Sequence, residues 1–454
     1  MTKNTDKIFF LFIAAHLLVW TLVPSLTNKN LPLDTIEHLA WASNLDWGFN
    51  KHPPMVAFVL KVFYQIFGSQ DWAYYLLSQI FVCFSFFIIW KLSQEFFKKK
   101  IYSLISIFLL SGISFYNYTT PEFNVYICEL PFWALTVYFS WRAPKTNKMM
   151  DWTLLGLFAG CGILSHYLFI YLLLGISIYF LNMIITKKIN FKCLVSLIPF
   201  FLILTPHLSW LIENNYTTLT YGMHRTGLSD SGLASHLTMP FVFLLKQLGL
   251  LIPFFTMFLF IVSKPKTKTK FNFKDNKALF LLMINLLPIT LIFLTSLILG
   301  IKIRTMWMTP FYLFFGIMLI YFFQKRINLK KLNSFISVFL FIFFLSPSIY
   351  LYVSLSKDNK RTDYPGQEIA DLVQRRWDRN YTNKIGFVIG DEWFGGNLSY
   401  HLKSRPIWFN ELDPSLIKSD KGVIYTGNAK VLKKICPGVF GSIRKQGICM
   451  IGNK

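Results

Sequence analysis

The chain has 454 residues, 54% of them hydrophobic and only 15% charged, with a formal net charge of +24 and a mean hydropathy of +0.45. Soluble globular proteins carry about 25% charged residues, so the composition excludes a soluble enzyme. It also excludes a nucleic-acid binder, because the positive charge sits in short clusters between apolar runs of about 20 residues, the length that crosses a bilayer. What remains is a polytopic membrane protein.

The N-terminal stretch MTKNTDKIFFLFIAAHLLVWTLVPSL has the basic end and apolar core of a signal peptide. No small-x-small cleavage site follows it, and His16 and Trp20 suit an uncleaved first span. Eleven spans are expected, at 7–24, 72–90, 101–117, 123–141, 152–166, 167–183, 193–212, 239–262, 278–299, 305–323 and 333–354. A single helix over 152–183 would be roughly 48 Å long against a hydrocarbon core of about 30 Å. Two short spans turning near Ser165-His166-Tyr167 fit better.

Charge asymmetry agrees with that choice. With the turn in place, about 22 Lys and Arg fall on one side of the membrane and about 6 on the other, outside the C-terminal region. The rich side is then cytoplasmic, with the N-terminus inside and the C-terminus outside. From about Ser356 the composition changes, and an outer α/β domain over 356–454 is expected beside a membrane domain over 1–355. QEIADLVQRRW reads as an amphipathic helix with Ile369, Leu372, Val373 and Trp377 on one side. KIGFVIGD and KGVIYTG read as strands, and GNLSYHLKSRPIWF as a helix followed by a strand after Pro406. Cys436 and Cys449 can pair if this region faces an oxidising compartment. The other four cysteines lie in or beside apolar runs and read as packing residues.

The topology gathers polar chemistry on the outer face. The first outer connection holds Asp34, Glu37, His38, Asp46, Lys51 and His52, and further outer loops hold Glu122, Arg225, Lys302 and Arg304. D-T-I-E at Asp34–Glu37 matches a capping box ahead of an interfacial helix from about Thr35 to Ser43, which is a structural role. The functional reading rests on the combination. A carboxylate at the membrane surface can take a proton from an acceptor hydroxyl, while nearby cations stabilise a phosphate leaving group. Lys51, His52, Arg225, Lys302 and Arg304 are the candidate cations.

These residues resemble a family. D-x-x-E-H-x-x-W followed by LDWGFNKHPPMVAFVLKVFYQIFG is similar to the first outer loop of the C-type-fold glycosyltransferases that use lipid-linked sugars. The nearest branch resembles the bacterial protein mannosyltransferases and the aminoarabinose transferase of lipid A. TTPEFNVYICELPFWALTVYF resembles their second outer loop, LLGLFAGCGILSHYLF their L-S-K-Y segment, and TPHLSWLIENNYTTLTY with Arg225, FLLKQLGLLIP and MWMTPFYL continue the pattern over about residues 1–355.

The resemblance implies an all-α membrane fold that transfers a sugar, usually with inversion, from a polyprenyl-phosphate donor to a lipid or glycan acceptor on the outer face of the bacterial inner membrane. By carry-over, Asp34 is the catalytic acid–base residue, assisted by Glu37. His38, Lys51, His52, Glu122, His166, Arg225 and Arg304 line the donor-phosphate or substrate site. The chain departs from the pattern in three places: Thr35 stands where a second acid is common, Glu122 where Asp is common, and His166 where Lys is usual.

Other features have plainer readings. Glu129 inside a span is costly unless it functions, and Lys246 is its candidate partner. His207 after Pro206 reads as a packing or hydrogen-bonding residue, and His224 as a surface one. Trp41, Trp47 and Trp72 read as interfacial anchors ahead of acceptor-stacking groups. No cofactor is called for. A divalent cation is admissible, with Asp34, Glu37, His38 and His52 as donors, although their spacing matches no dedicated metal motif. A flippase for a lipid-linked sugar and a non-catalytic scaffold of the same fold are the competing functions.

Overall fold

In a computed structural model of the protein, residues 4–228, 232–263, 275–411 and 420–454 are described. The membrane region begins with α1 (Thr5–Thr27), the short helices α2 (Leu33–Ser43) and α3 (Met55–Phe67), then α4 (Asp71–Phe96) and α5 (Lys100–Leu110). It continues through α6 (Val125–Thr146), α7 (Met149–Ser165), α8 (Ile170–Ile185), α9 (Leu197–Glu213), α10 (Thr217–Thr226), α11 (Ser235–Leu259), α12 (Asn276–Leu299), α13 (Phe315–Phe323) and α14 (Leu332–Ser356).

Seven described helices are long and apolar enough to cross a bilayer, and an eighth is reached if the pair Thr305–Tyr312 and Phe315–Arg326, bent by 54°, counts as one. The remaining expected spans fall on α5, α6 and α7. Of these, α5 and α7 are short, and α6 carries Glu129 and two prolines. The expected span at 101–117 is corrected: its α-helix stops at Leu110, where the Asn117 amide donates to the Ser111 carbonyl at 2.9 Å and a 3-10 turn follows. The break expected near Ser165-His166-Tyr167 is present, with α7 ending at Ser165 and His166 extended.

Large apolar side chains such as Leu11, Leu26, Leu202, Leu245 and Tyr352 stand exposed along these helices. Only 11% of the apolar window in the last one is buried. Lipid is the solvent for such surfaces, because each helix satisfies its own backbone polar groups. The apolar core lies between the helices, and α7 reaches α9 closely because Gly156 has no Cβ, which would meet the Ser196 carbonyl at 1.8 Å. The basic connections meet one another at one end: Lys100 pairs with Asp6 at 2.6 Å, Lys145 with Glu95 at 2.8 Å, and Lys277 donates to the Glu95 carbonyl. Residues 264–274 of the basic stretch before α12 lie outside the described residues.

The C-terminal region is α/β, with α15 (Gly366–Asn380), β1 (Ile385–Ile389), α16 (Phe394–His401), β2 (Ile407–Phe409), β3 (Gly422–Asn428), α17 (Ala429–Ile435), β4 (Val439–Ile443) and β5 (Gln446–Ile451). The sheet order is β2-β1-β3-β5-β4, parallel across the first three strands and antiparallel across the last three. On α15, Ile369, Ala370, Val373 and Trp377 are buried, and the expectation for Leu372 is corrected, since it is 48% exposed.

Cys436 and Cys449 form a disulfide between the end of α17 and β5. Closing a loop of this size stabilises by about 3 kcal/mol in the chain-entropy account. Non-reducing peptide mapping should recover the two cysteines in one linked peptide, and Cys449→Ser should unfold at lower temperature. Two free thiols would contradict the linkage.

The C-terminal region docks on α2 and the segments beside it through polar contacts. Asn30 donates to Asn397 at 2.8 Å, His401 contacts Asn30 at 3.1 Å, Tyr400 donates to Asp71 at 2.9 Å, and the Trp408 backbone donates to Ser43 at 2.8 Å. Arg405 donates to the Leu39 carbonyl and lies 4.3 Å from the Tyr64 ring centre.

Candidate active site

A cavity of about 400 Å³ opens where connections at one end of the helices meet. Asp34, Glu37 and His38 reach it from α2, Lys51 and His52 from the loop before α3, His166 from the break after α7, Arg225 from α10, and Arg304 from the segment after α12. Residues more than 250 positions apart in sequence thus share one wall. Of the residues expected at the site, Glu122 stands behind it, and Lys302, also expected as a cation, is exposed and does not line it. The Glu122 carboxylate accepts the Asp34 backbone N–H at 3.0 Å and so fixes the first turn of α2.

That contact corrects the capping box. Helix α2 starts at Leu33 with Pro32 before it and has no side-chain cap, so the orphan N–H of Asp34 is satisfied by Glu122 from another connection. Glu37 is then free of the capping role, and it binds Lys51. Lys51 in turn binds a second carboxylate, Glu392, from the turn between β1 and α16. Asn50 also donates to Glu392, at 3.3 Å.

The electrostatics follow from enclosure. Burial raises the Asp34 carboxyl above the ordinary aspartate value, opposed by Lys51, Arg361, Arg225 and Arg304. Burial and the nearby Glu392 push Glu37 up to about 8, against the pull of Lys51. Glu122 is also pushed up to about 8, by burial and then by Asp34. Burial lowers His52 to about 4 and holds His38 well below its usual value, with each further lowered by a neighbouring positive group. Near neutral pH the histidines are therefore neutral, and Lys51, Arg225 and Arg304 carry the positive charge.

Among the described residues no carboxylate lies within ion-pair distance of Arg225 or Arg304. Arg225 is exposed at the cavity mouth, while the Nε of Arg304 is buried without a hydrogen-bond partner. The imidazoles of His38, His52 and His166 stand in file, with ring centres 6.1 and 6.0 Å apart. His166 Nδ1 lies 3.7 Å from the buried Glu129 carboxylate, which replaces the expected Lys246 partnership; Lys246 is exposed.

Two further expectations change. Trp41 is buried and stacks on Phe49 with ring centres 4.9 Å apart, so it is a packing residue, whereas Trp47 and Trp72 remain 44% and 45% exposed. The divalent-cation reading loses its donor set, because Glu37 is bound to Lys51 and, among the described residues, no three His, Cys, Asp or Glu side chains converge as metal ligands. His207 does hydrogen-bond, to Tyr167 at 2.8 Å and to the Trp47 carbonyl at 2.6 Å. Tyr126, Tyr167, Thr218, Tyr221 and Trp307 line the cavity without having been singled out from sequence. Glu392 and Arg361 were also missed, since nothing in the local sequence links them to a loop more than 300 residues earlier.

A cleft of about 440 Å³ between α7, α8 and α9 is mostly apolar and carries no carboxylate or basic group. It cannot perform acid–base chemistry.

The fold and the site together define a multi-pass membrane protein of the C-type glycosyltransferase fold. The crystal structure of ArnT from Cupriavidus metallidurans bound to undecaprenyl phosphate superposes with a TM-score of 0.64 at 11% identity, covering 97% of each chain. The apo state of the same protein gives 0.62 at 11% identity over 98% of each chain. Residues 51–210 match the family model described as dolichyl-phosphate-mannose-protein mannosyltransferase. No curated protein sequence matches the chain.

Proposed function

We propose that the protein is a membrane glycosyltransferase that moves a sugar from a polyprenyl-phosphate donor to an envelope acceptor, such as lipid A, lipopolysaccharide or another glycan. The observation that carries this reading is the juxtaposition of an acid with no side-chain partner among the described residues, Asp34, and the cations Arg225 and Arg304 in one outer cavity. Asp34 takes the proton of the acceptor hydroxyl as that oxygen attacks the anomeric carbon. The glycosyl–phosphate bond breaks, and the arginines stabilise the departing phosphate. Inversion follows from a single displacement. Glu37 and Lys51 complete the charge balance, while Glu122 orients Asp34.

The same reading places the site on the periplasmic face of the inner membrane, with the basic end in the cytoplasm. It treats 1–355 as the catalytic membrane domain and 356–454 as an outer domain. A flippase would hold its polar groups near the midplane. Here most charged side chains of the described residues cluster at the two ends, although Glu129 in α6 and Lys246 in α11 lie within spans.

The test compares envelope lipids and glycans by mass spectrometry in cells lacking the gene, restored with it, and restored with Asp34→Asn. One sugar should disappear on deletion and return only with the wild-type gene. Full restoration by the variant would remove Asp34 from the chemistry, and an unchanged envelope on deletion would favour a transporter or scaffold.

A further inference from the structure

Lys51 faces two carboxylates, and they come from different parts of the chain. Glu37 belongs to α2 of the membrane region, and Glu392 to the turn between β1 and α16 of the C-terminal region. Burial and Glu392 push the Glu37 carboxyl up to about 8, so Glu392 is the partner that balances the Lys51 charge, beside a cavity whose other cations suit a phosphate. A phosphate entering that cavity therefore gains little from Lys51 unless the ammonium changes partner.

The turn holding Glu392 is built to stay in place. The Gly390 backbone donates to the Phe409 carbonyl at 3.0 Å, and the Trp408 indole donates to the Gly390 carbonyl at 3.1 Å. Gly390 has φ of 145°, and a Cβ there would meet Thr426 Oγ1 at 2.0 Å. The Asp391 side chain accepts the Trp393 and Phe394 backbone N–H groups at 3.0 and 2.8 Å. Docking on α2 holds the whole region against the site. What can move is a side chain, and the Lys51 side chain is long and 23% exposed.

We infer that Glu392 is an exchangeable counter-anion for Lys51: it yields the ammonium to the donor phosphate and reclaims it when the carrier phosphate leaves. Glu37 holds Lys51 in reach throughout. Glu392 is thus a positioning residue of the C-terminal region that limits how tightly, and for how long, a lipid phosphate is held. This rests on the lipid-phosphate reading of the cavity.

The experiment measures binding of undecaprenyl phosphate to the purified full-length protein in nanodiscs. Glu392→Gln and Glu392→Ala remove the competing charge and should bind roughly three- to ten-fold tighter than wild type, with slower release. Glu392→Asp keeps the charge and should stay near wild type. Unchanged or weaker binding by both neutral variants, at wild-type thermal stability, overturns the inference. So does Glu392→Asp behaving like Glu392→Gln. If either neutral variant is destabilised, the other decides. A wild-type protein that does not bind the lipid phosphate at all sinks the transferase reading itself, which separates the two failures.

Discussion

Asp34→Asn is expected to retain the fold and lose about 10²- to 10⁴-fold in turnover, the usual contribution of a positioned general base. The amide keeps the shape of the side chain. The Asp34 contact that shapes α2, its backbone N–H to Glu122, is untouched by the substitution. Loss of stability should therefore be small, and thermal unfolding of the variant separates the chemical effect from a structural one.

The pH profile gives an independent reading. Asp34 acts as its carboxylate, and its folded pKa is raised above the ordinary value of 3.8 by burial. Turnover should then fall with decreasing pH along a limb that lies above the ordinary aspartate range. Glu122 is pushed up to about 8 by burial and then by Asp34, so it is already protonated along an acid limb below that value, and Glu122→Gln should leave the limb in place while changing the acceptor of the Asp34 backbone N–H. An acid limb at the ordinary aspartate position, or wild-type turnover in Asp34→Asn, would assign the chemistry elsewhere.

Long-period hydrophobicity made most of the membrane region legible. Each expected span falls on a helix or a bent helical pair, and the break at Ser165-His166 follows from bilayer thickness alone. The exceptions have local causes. Asn117 and the 3-10 turn end α5 early, and Pro310 lies in the 3-10 start of the bent pair.

In the C-terminal region, β1, β2 and β3 were readable as apolar runs, but the β4–β5 hairpin was not. Its two-residue turn is Arg444-Lys445, both with positive φ, where Asn-Gly or Asp-Gly would have advertised the turn. At the site, Asp34, Glu37, His38, Lys51, His52, His166, Arg225 and Arg304 line one cavity because the fold brings these connections together, while Glu122 and Lys302 do not. The capping box misled because Asp34 and Glu37 fit it locally, while Glu122, 88 residues from Asp34, and Lys51, in the following connection, offered other partners. Glu392 was invisible for the same reason: a side chain recruited by domain docking leaves no periodic or motif signal.

Arg304→Met should weaken use of the lipid-phosphate donor by roughly ten- to 150-fold, from loss of a charge-assisted hydrogen bond worth about 1.5–3 kcal/mol. The guanidinium has its Nε buried and without a protein partner, and a buried donor in that condition is costly unless a ligand satisfies it. Arg225 reaches the same cavity from an exposed position. There water screens the charge, so Arg225→Met should cost only a few-fold and lose its effect in high salt. Arg304→Met should keep most of its effect in high salt. Arg304→Lys restores charge but not the planar fork that grips two phosphate oxygens, so it should recover only part of the loss. The check is the donor concentration dependence of turnover at two ionic strengths. Equal and salt-sensitive losses for both arginines would make Arg304 a second steering charge, and the phosphate would then sit closer to Lys51.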